Sequence, residues 1–584
     1  MKNKKDQLGK EYDIAIIGGG VVGGMIAYHL AKYRSRIVIL EKESDAAMGQ
    51  SKANSGIVHA GYDPQPGSLK AILNVKGSEM MEGICRDLAV KYRRNGTFVV
   101  GYSEEDNENL KILLERGKQN GVRDLALIDG ETVRAAEPHL SQRITCALSA
   151  PTGAVVCPYE LTLHAIGHAM DYGADFLTNF AVSALHCSDE DAGGKATSTA
   201  AAAETQAVQG GYRIEAADGR QVWAKIVLNC AGLYSDEIAA MIGDTSFTIT
   251  PRRGEYQLLD KETGDLVDHT IFRTPTKMGK GVLAVKTVDG NILLGPTSED
   301  IEDKQNTAVT AAGLETVAVK ETEFFDHVPL QMAITQFTGL RAHGDKGDFI
   351  INSPRENFLN FAGIESPGLT SAPAIGLLAE ALLFGAEACP AGAALANRAG
   401  LAVPLLAPDT LDGQVKADWK PQRTETFSFR TLSLEEKNQW IQKEPAYGRV
   451  ICRCEEVTEG EILAEIRRNP PAKDIDAVKR RTRAGMGRCQ SGFCLPAVCE
   501  ILAKEWGVPL TAVTKKGGAS RILTGRTKGG ASAVLTGQSK ESEANEAARI
   551  RAGAAAGTEP PQHLCADEAA FMSRAKNENG GAGK

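Results

Sequence analysis

Between Tyr12 and Glu41 the apolar positions change period twice. "YDIAII" is a continuous apolar run, "GGGVVGG" a glycine turn, "MIAYHLAKY" a helical stretch and "SRIVILE" a second apolar run. Short apolar runs bounded by glycine read as buried strands, so this segment predicts a strand, turn, helix and strand, a βαβ unit. A further strand is predicted at 224–232, "AKIVLNCAG", and another at 358–368, "FLNFAGIESPG", which runs into the helical pattern "SAPAIGLLAEALLFGAEA". Long mixed segments separate these runs. The fold class expected is α/β, α+β overall, with a Rossmann-like nucleotide-binding domain assembled from pieces and a substrate domain supplied by the insertions.

The expected divisions are a discontinuous cofactor domain at 1–90, 150–235 and 330–385, and a substrate domain at 91–149 and 236–329. A linker at 386–445, a small cysteine-bearing domain at 446–512 and a low-complexity tail at 513–584 follow. The 188–211 stretch, rich in Ala, Gly, Ser and Thr, reads as a mobile extension, and the tail composition as disordered and without chemistry.

Composition narrows the function classes. A chain of 584 residues exceeds one hydrophobic core, and 42% hydrophobic with 24% charged residues suits a soluble protein. Sixty-six basic against 74 acidic residues leave a net charge of -8, which argues against a general nucleic-acid binder. Charged residues interrupt the start of the chain before its glycine-filled apolar run, so a secretory signal is not expected, nor is a membrane span. The expected location is cytoplasmic, with a peripheral position at the inner membrane face as the variant. Twelve cysteines spread over such a chain read as thiols or ligands, not as a disulfide framework.

The motif G-x-G-x-x-G falls on Gly18, Gly20 and Gly23, and Glu41 ends the next strand. The first glycine permits the turn, the second lets backbone approach a pyrophosphate, and the third lets helix and strand pack closely. Glu41 suits a ribose hydroxyl. NAD and FAD share this pattern. The loop "SKANSGIVHAGYDPQPGSLKA" at 51–71 offers Ser51, Asn54, Ser55 and Gly56 beside a flavin chain. "NCAGLYSD" offers Gly232, and "GIESPGLTSAPAIG" offers Gly363, Gly368, Leu369 and Thr370 at a helix start suited to negative charge. Val182 completes the expected FAD-binding set.

With "PRRGEY", "ILLGPTSED" and "GLRAHGDKGDFII", these motifs make 12–385 resemble the FAD oxidoreductases of the D-amino-acid oxidase superfamily. The branch it resembles is that of FAD-dependent glycerol-3-phosphate dehydrogenases and L-2-hydroxyglutarate oxidases. The resemblance implies an antiparallel sheet over the isoalloxazine ring and places a histidine, His59 here, beside the flavin. A carbinol oxidation needs a base, for which imidazole is suited, and cations for an acidic substrate. His59 is the expected base and Arg341 the expected anion ligand, with Lys280 and Lys277 adding charge and Arg253 and Tyr256 lining the pocket. A guanidinium fits carboxylate and phosphate equally, so sn-glycerol 3-phosphate and L-2-hydroxyglutarate both remain open, as does an amino acid. His343 stands two positions from Arg341.

The last chemistry-bearing feature is C-x-C-x34-C-x4-C, formed by Cys452, Cys454, Cys489 and Cys494. Four thiolates suit zinc or an iron-sulfur cluster, but neither pair has the spacing of a zinc knuckle. "GRVICRCEEVTEGEILAEIRR" with "TRAGMGRCQSGFC" resembles the bacterioferritin-associated ferredoxin-like module. That resemblance implies a 2Fe-2S cluster on these four cysteines. The expectation is therefore an FAD-dependent dehydrogenase that oxidises glycerol 3-phosphate and passes electrons through the cluster to an acceptor protein or quinone, with a second flavoprotein subunit among the candidate partners. In the contrasting expectation the cluster is sensory or a scaffold.

Overall fold

The computed structural model describes residues 10–187, 211–275, 281–403, 410–423 and 428–525. Lys277 and Lys280, nearly all of the 188–211 extension and the tail from 526 lie outside the described residues.

The predicted βαβ unit forms as Glu11–Ile17, the helix Val21–Leu30 and Ile37–Leu40. Its strands sit in a parallel core, with Glu11–Ile17 between Gln221–Asn229 and Ile37–Leu40, and Asp175–Leu177 outside the latter. Phe358–Ala362 joins in parallel along the C-terminal half of Gln221–Asn229, and Ile350–Arg355, Tyr212–Ala216 and Val182–Cys187 extend the sheet antiparallel. Both faces are buried, which is why these strands read as unbroken apolar runs. Ile14, Ile16, Ile226 and Leu228 face the core that takes in the helices Val21–Leu30 and Gly368–Ala388; Ala15, Ile17 and Val227 face the other. Gly368–Ala388 is the described helix long and apolar enough to cross a membrane, and 78% of its apolar window is buried within the protein, as expected for a core helix.

A second sheet is mixed and mostly antiparallel. Its long pair, Ile249–Leu259 with Ala333–Gly344, runs in register from Ile249 opposite Gly344 to Leu259 opposite Ala333, with Arg252 opposite Arg341. The boundary expected at 330 is thereby corrected, because Ala333–Gly344 takes its hydrogen bonds from the second sheet and not from the nucleotide-binding one. Strand pairing, invisible in a single apolar run, decides this.

The segment expected to be a linker is also corrected. Leu395 and Ala396 of the helix Pro390–Arg398 enter the main core, Val415 bridges Tyr33, and Lys416 Nζ donates to the carbonyls of Ala31 and Tyr172, each at 2.7 Å. Its Ala-rich composition suits close packing on a small-residue helix as well as it suits a linker.

The C-terminal module closes around Ile462, Ile466, Ile475, Val478, Val498, Ile501 and Leu502. Its helices Glu459–Arg467 and Ile475–Thr482 begin with side-chain caps, including a full capping box at Thr458 and Glu461. Residues 513–522, assigned to the tail, belong to this module: Val513 is in its core and Thr514 bridges Arg521.

Candidate active site and cysteine module

One cavity of about 2050 Å³ runs along the C-terminal ends of the parallel strands, where ligands bind in open α/β sheets. At one end Gly18 adopts φ +116° so tightly against the Cys230 carbonyl that a Cβ would collide with it. A Cβ on Gly23 would run into the Gly18 carbonyl oxygen. The helix Val21–Leu30 starts at Gly20, which has no capping side chain; Ser51 Oγ accepts from Val21 N at 2.9 Å instead.

Glu41 is buried and accepts from Gly19 N at 2.7 Å and Glu43 N at 2.8 Å. Burial pushes its carboxyl upward and those two amides oppose the shift. Each oxygen keeps a lone pair for a ribose hydroxyl. Gly49 and Gly232 border the cavity where a Cβ would meet nothing, leaving a smooth backbone cradle. A helix N-terminus, a glycine cradle and a buried carboxylate together fit a dinucleotide, FAD included.

Of the expected FAD-binding residues, Gly18, Gly20, Glu41, Ser51, Asn54 and Ser55 line this cavity. Val182, Gly232, Gly368 and Leu369 do so as well. Gly23, Gly56, Gly363 and Thr370 stand outside the lining and act on the wall: Thr370 Oγ1 accepts from His59 N at 2.9 Å, and Asn54 Oδ1 accepts from Gly56 N at 2.9 Å.

At the other end, His59 and Arg341 border the same cavity. The His59 backbone is pinned on both sides, by Thr370 and by Asn74 Nδ2 donating to its carbonyl at 3.1 Å, and its ring lies 5.6 Å from that of Phe272. Arg252 is paired with Asp300 at 2.6 Å and Arg253 with Glu299 at 2.5 Å. Arg341 donates instead to the Thr297 carbonyl at 2.8 Å and to Ser298 Oγ at 3.4 Å, with no carboxylate in ion-pair range among the described residues. Tyr256 is buried beside it; burial pushes its phenol up and the guanidinium opposes the shift. His343 turns to Glu365 at 3.1 Å and does not line the cavity. Sequence reasoning missed Gln50, which spans the wall from Ile364 to Ala342, as well as Lys52 and the Lys516–Ser520 stretch.

The four cysteines of the module form two thiol pairs. Cys454 Sγ and Cys489 Sγ are 3.7 Å apart, and Cys452 is hydrogen-bonded to Cys494, which holds Cys452 down at about 6 and pushes Cys494 up. A Cβ on Gly487 would strike Cys454 Cβ, so glycine is needed for the two cysteine loops to meet. Among the described residues no three Cys, His, Asp or Glu side chains converge on one point as a single metal ion requires. Two pairs of soft thiolates instead fit a two-iron cluster, in which each iron takes two.

Ion pairs dock the module. Asp45 meets Arg480 at 2.6 Å and Arg481 at 2.7 Å, all three side chains buried. Burial pushes the Asp45 carboxyl up, and the two guanidiniums more than reverse this, holding it at about 2. Arg483 bridges Asp289 at 2.6 Å and Glu455 at 2.9 Å, the latter adjacent to Cys454.

Residues 13–382 match the FAD dependent oxidoreductase family, and residues 450–504 match the BFD-like [2Fe-2S] binding domain. The chain is 41% identical over 520 residues to a glycerol 3-phosphate dehydrogenase of Caloramator mitchellensis, covering 88% of this chain and 99% of the relative. It is 33% identical to the mitochondrial L-2-hydroxyglutarate dehydrogenase of Homo sapiens, over 49% of this chain and 61% of the relative. The solved L-alpha-glycerophosphate oxidase of Mycoplasma pneumoniae, with FAD bound, superposes with a TM-score of 0.58 at 25% identity, covering 70% of this chain and 100% of that one. The chain belongs to the FAD-dependent oxidoreductases and carries a C-terminal [2Fe-2S]-binding module.

Proposed function

We propose that this protein oxidises sn-glycerol 3-phosphate to dihydroxyacetone phosphate and delivers the electrons to an external acceptor protein or quinone through its C-terminal module. The observation that carries the reading is the dehydrogenase from Caloramator mitchellensis, similar across nearly its whole length and so across both modules. Bound FAD supplies the two-electron acceptor for the hydride leaving the carbinol carbon. The [2Fe-2S] cluster supplies one-electron transfer outward.

His59, held by its backbone at the cavity wall, takes the hydroxyl proton as the carbonyl forms. Arg341, without a carboxylate partner among the described residues, holds the substrate phosphate, and Tyr256 packs beside it. Lys280, outside the described residues, is proposed to add charge at the same end. Cys452, Cys454, Cys489 and Cys494 bind the irons.

L-2-hydroxyglutarate is the second reading, because Arg341 suits a carboxylate equally and the human relative acts on it by name. Anaerobic flavin bleaching separates the two. Glycerol 3-phosphate is expected to bleach the flavin within the turnover time; bleaching by L-2-hydroxyglutarate alone would overturn the assignment.

A further inference from the structure

The nucleotide end of the cavity is not walled by the flavin-binding part alone. Lys516–Ser520, from the C-terminal module, line the same cavity as Glu41, Lys42, Glu43 and Ser44. We propose that the 514–520 loop is part of the FAD site and retains the adenosine diphosphate end of the dinucleotide, so that flavin retention depends on the folded [2Fe-2S] module.

The loop is a built element. Lys515 N donates to the Ser520 carbonyl at 2.7 Å, Lys516 N to Ser520 Oγ at 2.8 Å and Gly517 N to Thr514 Oγ1 at 3.1 Å. Behind it, Asp476 N donates to the Lys515 carbonyl at 2.8 Å and Ile475 N to the Thr514 carbonyl at 3.2 Å, tying it to the helix Ile475–Thr482. That helix also carries Arg480 and Arg481, the partners of Asp45.

In front, Ser44 Oγ lies 3.0 Å from the Lys516 carbonyl and 2.9 Å from Asp474 Oδ2, the carboxylate that caps the helix. Gly517, at φ +78°, passes so close to Ser44 that a Cβ would collide with its side chain. Ser44 is three residues beyond Glu41, so the loop stands against the segment that receives the ribose.

Charge is consistent with this placement. Lys52 lines the cavity with its side chain still open to solvent; partial desolvation lowers its ammonium, Arg480 and Lys516 lower it further, and Asp476 and Glu43 oppose them. A phosphate-bearing ligand is the class of anion that relieves this crowding of cations.

The inference rests on FAD as occupant of the cavity and is independent of the substrate. Its test is the FAD dissociation rate of the full-length holoenzyme, read from flavin fluorescence on dilution, with iron content measured in parallel. Gly517→Val is expected to release FAD at least ~10-fold faster with the cluster retained, since the loop must leave Ser44. Gly507→Ala, also at positive φ (+61°) in the module but facing open space, is expected to release it at the wild-type rate. A wild-type rate in Gly517→Val with iron intact would overturn the proposal, as would equal acceleration in Gly507→Ala. Should Gly517→Val lose its iron, Lys516→Ala decides: release about threefold faster supports the loop, and an unchanged rate overturns it. Wild-type protein that takes up no FAD would overturn the flavin reading itself.

Discussion

The nucleotide end of the cavity and the cysteine module both depend on glycines where backbone or side chains approach too closely for a Cβ, at Gly18 and Gly23 in one and Gly487 in the other. They differ in what holds them. The nucleotide loop grows out of a parallel sheet buried on both faces, and its geometry follows from the packing of those strands. The cysteine module has a small core of its own and is oriented by charges that reach across the chain, Asp45 to Arg480 and Arg481. A buried ion pair costs desolvation that its attraction barely recovers, so it adds less to net stability than to the choice of a single arrangement. For two redox centres that must keep a fixed separation, one arrangement is what matters.

The largest expected effect breaks the substrate end alone. His59→Gln is expected to lower kcat by about 10²–10⁴-fold, the usual range for a positioned base, while FAD and iron contents stay at wild-type levels. Steady-state kinetics with an artificial acceptor, alongside both cofactor assays, checks it.

Asp45→Asn strikes the docking instead. It leaves two guanidiniums buried without their charge partner, at a cost of about 3–5 kcal/mol, carried by the module and not by the parallel sheet. Thermal unfolding followed by cluster absorbance should shift downward more than unfolding followed by far-ultraviolet dichroism. Arg341→Lys is a smaller change: it keeps the charge and loses the fork, and an expected rise in KM of about 10–100-fold corresponds to about 1.5–3 kcal/mol.

The smallest effect is a pH dependence of the same docking. Asp45 titrates lower when docked, at about 2, than its ordinary value of 3.8. A depressed carboxyl contributes stability that is fully present above the higher value and is lost as pH falls toward the lower one. Docking is therefore expected to weaken between about pH 4 and pH 2 by about 2 kcal/mol, measured as acid release of the module in wild type. In Asp45→Asn the share carried by Asp45 should be lost, while the share carried by Asp289 and Glu455, which Arg483 also holds below their ordinary values, remains.

The contrast between the two regions also explains what could be read from the chain. Gly18, Gly20, Gly23 and Glu41 fall within one βαβ unit, so their spacing carries their geometry. The cysteine spacing likewise marked four candidate ligands. What binds these parts together was not legible: Arg480 follows Asp45 by 435 positions, and no local pattern marks such a pair. The boundary at 330 failed because strand pairing, not polarity, assigns Ala333–Gly344 to its sheet. The stretch 514–520 was grouped with the low-complexity tail that follows it, yet backbone hydrogen bonds build it into a loop whose residues 516–520 line the cavity. Arg341 stood out by its motif, but only the neighbouring Arg252–Asp300 and Arg253–Glu299 pairs show it as the cavity guanidinium without a carboxylate partner among the described residues.

The central claim is that the two sites form one electron route from glycerol 3-phosphate to the cysteine module. Anaerobic mixing with glycerol 3-phosphate, followed by visible absorption and by electron paramagnetic resonance of freeze-quenched samples, tests it directly. The account predicts flavin bleaching followed by the signal of a reduced [2Fe-2S] cluster, with bleaching kept and the signal lost in Cys489→Ser. Bleached flavin beside a cluster that stays oxidised through turnover with the physiological acceptor would contradict it.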